Sequence, residues 1–180
     1  TFIDIVNHWA EKSINTVNQM GYLIGIPNNS FAPKRTLTYA ETLTVLDRVL
    51  LNHDIIEMKH SRSDIEGLYD KEHWAYYNVS SIMSKLNKET LNAIKNRNLS
   101  DLITREEIAQ IIFETTNLAQ NKEMIEFGDM ESITNLEAVE YCVKAGILIG
   151  DNNNNFNPTQ TLTRGEYVVS IERLENALNK

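Results

Sequence analysis

A pattern of apolar positions recurs three times along the chain. In the first stretch Trp9, Ile14, Val17 and Met20 return at near-helical spacing, which predicts a helix with one apolar face. Gly21 follows, as expected just past a helix C-terminus. Tyr22-Leu23-Ile24-Gly25 is short and apolar and predicts an extended piece; Asn28-Asn29-Ser30 has turn composition. Phe31-Ala32-Pro33 then leads to Thr38-Tyr39-Ala40-Glu41, a capping box. In it the threonine oxygen accepts from the third helical N–H, and the glutamate reaches back to the cap N–H. The helix it opens carries Leu43, Leu46, Val49 and Leu50 on one face. Thr104 and Glu107 stand in the same way before Ile108, Ile111 and Ile112. Thr163 and Glu166 precede Val169, Ile171 and Leu174.

Self-comparison explains the recurrence. A shift of 125 residues aligns the two ends without a gap. Phe2 falls on Phe127, Asp4 on Asp129, Gly21 and Gly25 on Gly146 and Gly150, and Phe31 and Pro33 on Phe156 and Pro158. Thr36-Leu37-Thr38 falls on Thr161-Leu162-Thr163, Glu41 on Glu166, and Arg48 on Arg173. A worn copy lies between them. Asp64 opens it, His73-Trp74-Ala75 repeats His8-Trp9-Ala10, and Thr104-Arg105-Glu106-Glu107 supplies the capping box, but the Gly-x-x-x-Gly and Phe-x-Pro stretches are missing. The chain therefore divides into segments 1–60, 61–122 and 123–180, each read as helix, loop, helix. One such segment has too small a core to stand alone, so three are expected to share one. The expectation is an all-α body of six main helices with approximate three-fold symmetry.

Composition narrows the function classes. The net charge of −8 carries no basic footprint for nucleic acid. Cys142 is the one cysteine, so a disulfide framework is excluded and the residue reads as inert core. No apolar run approaches the roughly 18 residues of a membrane span. The start at Thr1, without Met or a basic leader, reads as a mature or excised segment. No Walker loop, GxSxG or zinc spacing occurs, so no enzyme, cofactor or metal is expected. Asp151-Asn152-Asn153-Asn154-Asn155 faintly resembles a calcium loop but has Phe156 and Leu162 where glycine and an acid belong, and reads as a polar turn. His8 and His73 read as structural.

The ordered series Phe-x-Asp, His-Trp-Ala, Gly-x-x-x-Gly, Phe-x-Pro, Thr-Arg-x-Glu resembles the S-layer homology (SLH) motif, which usually occurs as three tandem copies. The resemblance implies an extracellular module of Gram-positive-type bacteria. It implies a pseudo-trimer with the Thr-Arg-x-Glu helices in a central bundle. Grooves between units would bind secondary cell-wall polysaccharide, often ending in pyruvylated N-acetylmannosamine. Other surface-layer proteins are possible further partners.

Such a ligand calls for a cationic fork, neutral donors and an aromatic surface. Arg105 and Arg164 occupy the motif's arginine and read either as carboxylate binders or as surface arginines paired with Glu106 or Glu166. Each falls at the first position of a helix, where free N–H groups also favour an anion. On the binding reading, Arg105→Ala and Arg164→Ala weaken polymer binding and leave helicity intact. Tyr39 replaces the arginine in the first segment, with Lys34 and Arg35 as candidate substitutes. Asp4, Asp64 and Asp129 read as caps of a helix or turn, or as acceptors for sugar hydroxyls. Trp9 and Trp74 read first as core and second as groove wall, with Thr134 in their place in the third segment. Gly25 and Gly150 read as sites of close backbone approach or positive φ, or as simple turn glycines. The primary reading is a glycan-binding wall anchor. The alternatives are a surface-layer assembly module with decayed grooves and a hydrolase using one groove.

Overall fold

The computed structural model describes residues 2–57, 67–122 and 124–180. Seven α-helices occur among them: α1 (Glu11–Gln19), α2 (Tyr39–Asn52), α3 (Tyr76–Met83), α4 (Lys88–Ile94), α5 (Arg105–Thr115), α6 (Leu136–Lys144) and α7 (Arg164–Leu178). A 3-10 turn covers Met130–Ser132. No strand forms among the described residues, so the chain is all-α as expected, and only isolated bridges carry extended pairing.

Local chemistry accounts for the helix boundaries. All three capping boxes form with both hydrogen bonds, opening α2, α5 and α7. Gly21 and Gly146 follow α1 and α6 with φ of +77° and +76°, the left-handed conformation that ends a helix with least strain in glycine. In Tyr22–Gly25, Tyr22 and Leu23 plug the core while Ile24 faces solvent, and Ile26 next to it bridges to Ser30. One expectation needs correction: the helices among the described residues exceed the expected six. Where the outer segments have the Gly-x-x-x-Gly loop, the middle one forms α4, started by Asn87 accepting from Thr90 N at 2.9 Å and anchored by buried Leu91 and Ile94.

Packing links neighbouring segments of the sequence. Helix α2 packs on α3, α5 on α6, and α7 returns to α1, while α2 also touches α7. Each long helix thus covers a short helix from a different segment. One apolar core runs through all of them, with Ile14, Leu43, Leu46, Leu50, Ile82 and Tyr167 among its fully buried members. Tyr167 of α7 donates its hydroxyl to Thr42 O of α2 at 2.9 Å in the core. Glu175 near the end of α7 accepts from Tyr22 Oη at 2.9 Å and pairs with His53 Nε2 at 2.9 Å. These contacts hold the last helix to the first segment.

Candidate functional site

The sites grow out of three junctions that close the chain on itself. Thr36 bridges to Thr163, Thr161 to Thr104, and Leu102 to Thr38. Beside each bridge, the first two N–H groups of a long helix donate to a loop. Arg164 N and Gly165 N reach Arg35 O and Pro33 O at 2.8 and 2.9 Å. Arg105 N and Glu106 N reach Gln160 O and Pro158 O at 2.9 and 3.0 Å. Tyr39 N and Ala40 N reach Asp101 O and Leu99 O at 2.9 and 3.0 Å. The third N–H belongs to the capping threonine. The helix N-termini therefore have no such groups left for an anion, contrary to expectation.

The arginine at each helix start is tied down as well. Arg164 donates from Nε to Phe31 O at 2.8 Å and from Nη2 to Ile24 O at 2.9 Å, with its guanidinium 4.5 Å from the Phe31 ring centroid. Arg105 repeats this with Phe156 O and Ile149 O, both at 2.8 Å, and lies 4.8 Å over Phe156. Neither forms an ion pair among the described residues, so pairing with Glu106 or Glu166 is not what holds them. Burial lowers the pKa of both; that of Arg164 falls to about 10, with the positive charge of Arg35 adding to the effect. Two of five N–H groups are used in each guanidinium, which leaves donor capacity on an otherwise fixed fork.

The Tyr39 junction uses the same parts in reverse. Counting back seven residues from the capping threonines gives Phe31, Phe156 and Arg97; counting forward one gives Tyr39, Arg164 and Arg105. Two junctions thus place a helix arginine on a loop ring, and the third places loop Arg97 on helix Tyr39, 5.4 Å from its centroid. Arg97 also reaches Glu107 at 2.9 Å. Burial raises the Tyr39 hydroxyl above its ordinary range. The substitute for the missing arginine is Arg97, which sequence reasoning missed. Arg35 instead pairs with Glu41, and Lys34 is exposed. The signal lay in the alignment, where a cation opposes two phenylalanines.

Aspartates and glycines shape the loops. Asp4 accepts from Phe31 N and Ala32 N, both at 2.7 Å, and Asp129 from Phe156 N and Asn157 N at 2.8 and 2.7 Å. They cap a turn in which Ala32 and Asn157 have φ of 56° and 58°. Asp64 lies outside the described residues. Gly25 and Gly150 do not have positive φ; they are sites of close approach. A Cβ on Gly25 would stand 2.2 Å from Phe2 Cε1, and one on Gly150 2.6 Å from Phe127 Cε1.

Three of the grooves among the described residues bear on these candidates. The first, about 230 Å³, is lined by Leu23–Ile26, Glu41, Arg48, Arg164 and Trp74. The second, about 190 Å³, is lined by Leu148–Asp151, Glu166, Arg173, Arg105 and Trp9. By the same 125-residue shift Leu23, Ile24, Gly25, Glu41 and Arg48 of the first map onto Leu148, Ile149, Gly150, Glu166 and Arg173 of the second, while Ile26, Thr44 and Val45 fall on Asp151, Val169 and Ser170. Trp9 and Trp74 precede α1 and α3 and are 66% and 62% exposed, so they are groove-wall residues and not core. The third groove, about 550 Å³, is lined by Asn87, Glu89, Thr90, Glu107, Gln110, Thr134 and Glu137, with no lysine or arginine in its described lining.

The remaining candidates are structural. His8 and His73 accept from Ala10 N and Ala75 N through Nδ1 at 3.2 Å, organising the entry to α1 and α3. Cys142 is buried, and burial pushes its thiol pKa up. Asp151 accepts from Asn153 N and Asn155 N at 2.8 and 2.9 Å, which makes its loop a closed polar turn. Among the described residues no group of three His, Cys, Asp or Glu gathers as for a metal, and no helix is long and apolar enough to cross a membrane.

Comparison with known proteins finds a likeness at both ends of the chain. Residues 1–43 and 126–168 match the S-layer homology domain family. A cellulosome-anchoring protein of Acetivibrio thermocellus is 32% identical over 81 residues, covering 43% of this chain and 16% of that protein. An amylopullulanase of Thermoanaerobacterium thermosulfurigenes is 30% identical over 180 residues, 95% of this chain and 9% of that protein. An S-layer protein of Bacillus thuringiensis subsp. finitimus is 23% identical over 177 residues, 97% of this chain and 21% of that protein. The chain spans about a fifth or less of each of these relatives.

Proposed function

We propose that the chain is a non-catalytic anchoring module that holds a bacterial surface protein to the cell wall by binding a wall polysaccharide. In this reading segments 1–60, 61–122 and 123–180 are three SLH units of one pseudo-trimer, the middle one degenerate, and the ligand lies in grooves between them. The observation that carries it is the pairing, twice over, of an exposed tryptophan with a fixed arginine in one groove: Trp74 with Arg164, and Trp9 with Arg105. An indole with a free face stacks on a sugar ring, and a guanidinium takes a carboxylate. A carboxylate-bearing sugar such as pyruvylated N-acetylmannosamine asks for both. Gly25 and Gly150 let the rings of Phe2 and Phe127 pack closely against the groove loops, and Asp4 and Asp129 hold the turns that contain Phe31 and Phe156, whose carbonyls help fix the arginines.

At −8 net charge the protein does not steer an anionic polymer from a distance, so recognition depends on these local donors. Relatives named as an anchoring protein and an S-layer protein support a place at the cell surface. The relative named as an amylopullulanase is only 9% covered, which fits a module carried by an enzyme. A pull-down on native wall polymer against chemically depyruvylated polymer tests the reading. Retention on native polymer alone is expected; no retention on either refutes it. The second reading, a lattice-assembly module with decayed grooves, is favoured by the third groove, where Thr134 replaces tryptophan. Retention on neither polymer together with concentration-dependent self-association would support it.

A further inference from the structure

We infer that Arg48 and Arg173, each ten positions beyond a capping threonine, decide whether their two grooves accept an acidic sugar, which makes the chain a two-site receptor. This rests on the anchoring function proposed above and assigns its charge recognition to Arg48 and Arg173. Both line grooves that carry an exposed tryptophan. Arg105 and Arg164 each spend two N–H groups on loop carbonyls, and their guanidinium planes lie on phenylalanine rings. Arg48 makes a single bond, Nη1 to Tyr22 O at 2.9 Å. The side chain of Arg173 makes no hydrogen bond or ion pair among the described residues. The more available cation is therefore Arg48 in the first groove and Arg173 in the second.

None of the neighbouring carboxylates is ion-paired with Arg48 or Arg173. Glu41 is occupied by Arg35 and by Thr38 N, Glu166 by Thr163 N and Thr163 Oγ1, and Asp151 by Asn153 N, Asn155 N and Asn157 Nδ2.

The third groove supplies the contrast. Glu114 occupies the same position in α5; it is not part of the groove's lining but is bonded to three residues that are, Asn87, Thr90 and Gln110. It accepts from Asn87 N and Asn87 Nδ2 at 2.7 Å, Thr90 Oγ1 at 2.5 Å and Gln110 Nε2 at 2.6 Å. A carboxylate there repels an anion and also consumes the neutral donors that a sugar would use. With Thr134 in place of tryptophan, that groove lacks the stacking surface as well.

Titration calorimetry of the full chain tests this, with a pyruvylated N-acetylmannosamine glycoside and its depyruvylated counterpart as probes. About two equivalents of the acidic glycoside are expected. Arg48→Gln or Arg173→Gln should each leave one strong site and weaken the other by about tenfold or more, the scale of one charged hydrogen bond. The double variant should lose both, Arg48→Lys should retain most of the affinity, and Glu114→Gln should change nothing. Affinity and stoichiometry unchanged in the double variant, or three equivalents bound by the unaltered chain, overturns the inference and leaves the anchoring function standing. Equal loss for acidic and neutral glycosides would show a packing role and also overturns it. If the unaltered chain binds neither the glycoside nor the native polymer, the anchoring function fails, and this inference fails with it.

Discussion

Replacing Arg164 by methionine separates a structural arginine from a ligand-binding one. Arg164 is 4% exposed, and its guanidinium holds two loop carbonyls, Phe31 O and Ile24 O, from the start of α7. Methionine keeps the bulk of the stem but leaves both carbonyls without their donors. Each hydrogen bond to a charged group contributes about 1.5–3 kcal/mol. Desolvation of the charge offsets part of that sum, so the expected net loss is about 3 kcal/mol. At about 2–4 °C per kcal/mol for a chain of this size, thermal unfolding followed by far-UV circular dichroism should move down by about 6–12 °C. A double-mutant cycle with Phe31→Leu should return a coupling of about 1 kcal/mol from the cation–ring contact. A loss below about 1 kcal/mol in a folded variant would refute the reasoning and return Arg164 to a purely ligand-binding role. The expectation that removing this arginine affects binding alone is thereby replaced: weaker polymer binding by the variant is expected to accompany lower stability.

Gly25→Ala should destabilise by about 2 kcal/mol or more, because its Cβ meets Phe2 Cε1 at 2.2 Å and backbone Ser30 O at 2.9 Å. Gly21→Ala, in open space at positive φ, should lose only about 1 kcal/mol; equal losses in urea titrations would count against the close-approach argument. Tyr39→Arg should destabilise by setting two cations together, and adding Arg97→Phe should recover most of the loss by rebuilding the arrangement of the other two junctions; no recovery in thermal midpoint would refute the equivalence. Glu175 is opposed by burial, yet hydrogen bonds from His53, Tyr22 and Asn179 hold its pKa below the ordinary value of 4.5. The unfolded chain therefore takes up this proton more readily than the folded one. The contribution is present above about pH 4.5 and is lost as pH falls through the folded pKa. Glu175→Gln should flatten that part of the stability–pH curve, and an unchanged curve would remove Glu175 as its source.

The most local features were the most legible. A capping box is complete within four residues, so α2, α5 and α7 could be placed from Thr38, Thr104 and Thr163 with no knowledge of their neighbours. Gly21 and Gly146 likewise end α1 and α6 through their own backbone freedom. Helix α4 was hidden because the middle segment, though lacking the loop motifs of the outer two, was read as helix, loop, helix like them, and seven residues give too short a period to read. The tryptophans were misjudged for a different reason. Spacing places Trp9 in register with Ile14 and Val17, but α1 starts only at Glu11, so the indole projects from the turn before the helix.

The sequence alone determined that three similar helical stretches exist, where their long helices begin, and which chemical groups each could offer. Tertiary structure decided what those groups do. Arg105 and Arg164 became posts because each helix start lands on a loop more than forty residues away in the chain, and their hydrogen bonds span separations of 44 to 140 residues. Arg97 became the partner of Tyr39 by the same ring of contacts. Whether a side chain is tied or free depends on what packs across from it, and capping and periodicity reach only about one helical turn. The residues left least tied, Arg173 and the two exposed tryptophans, were identified by the neighbours they lack.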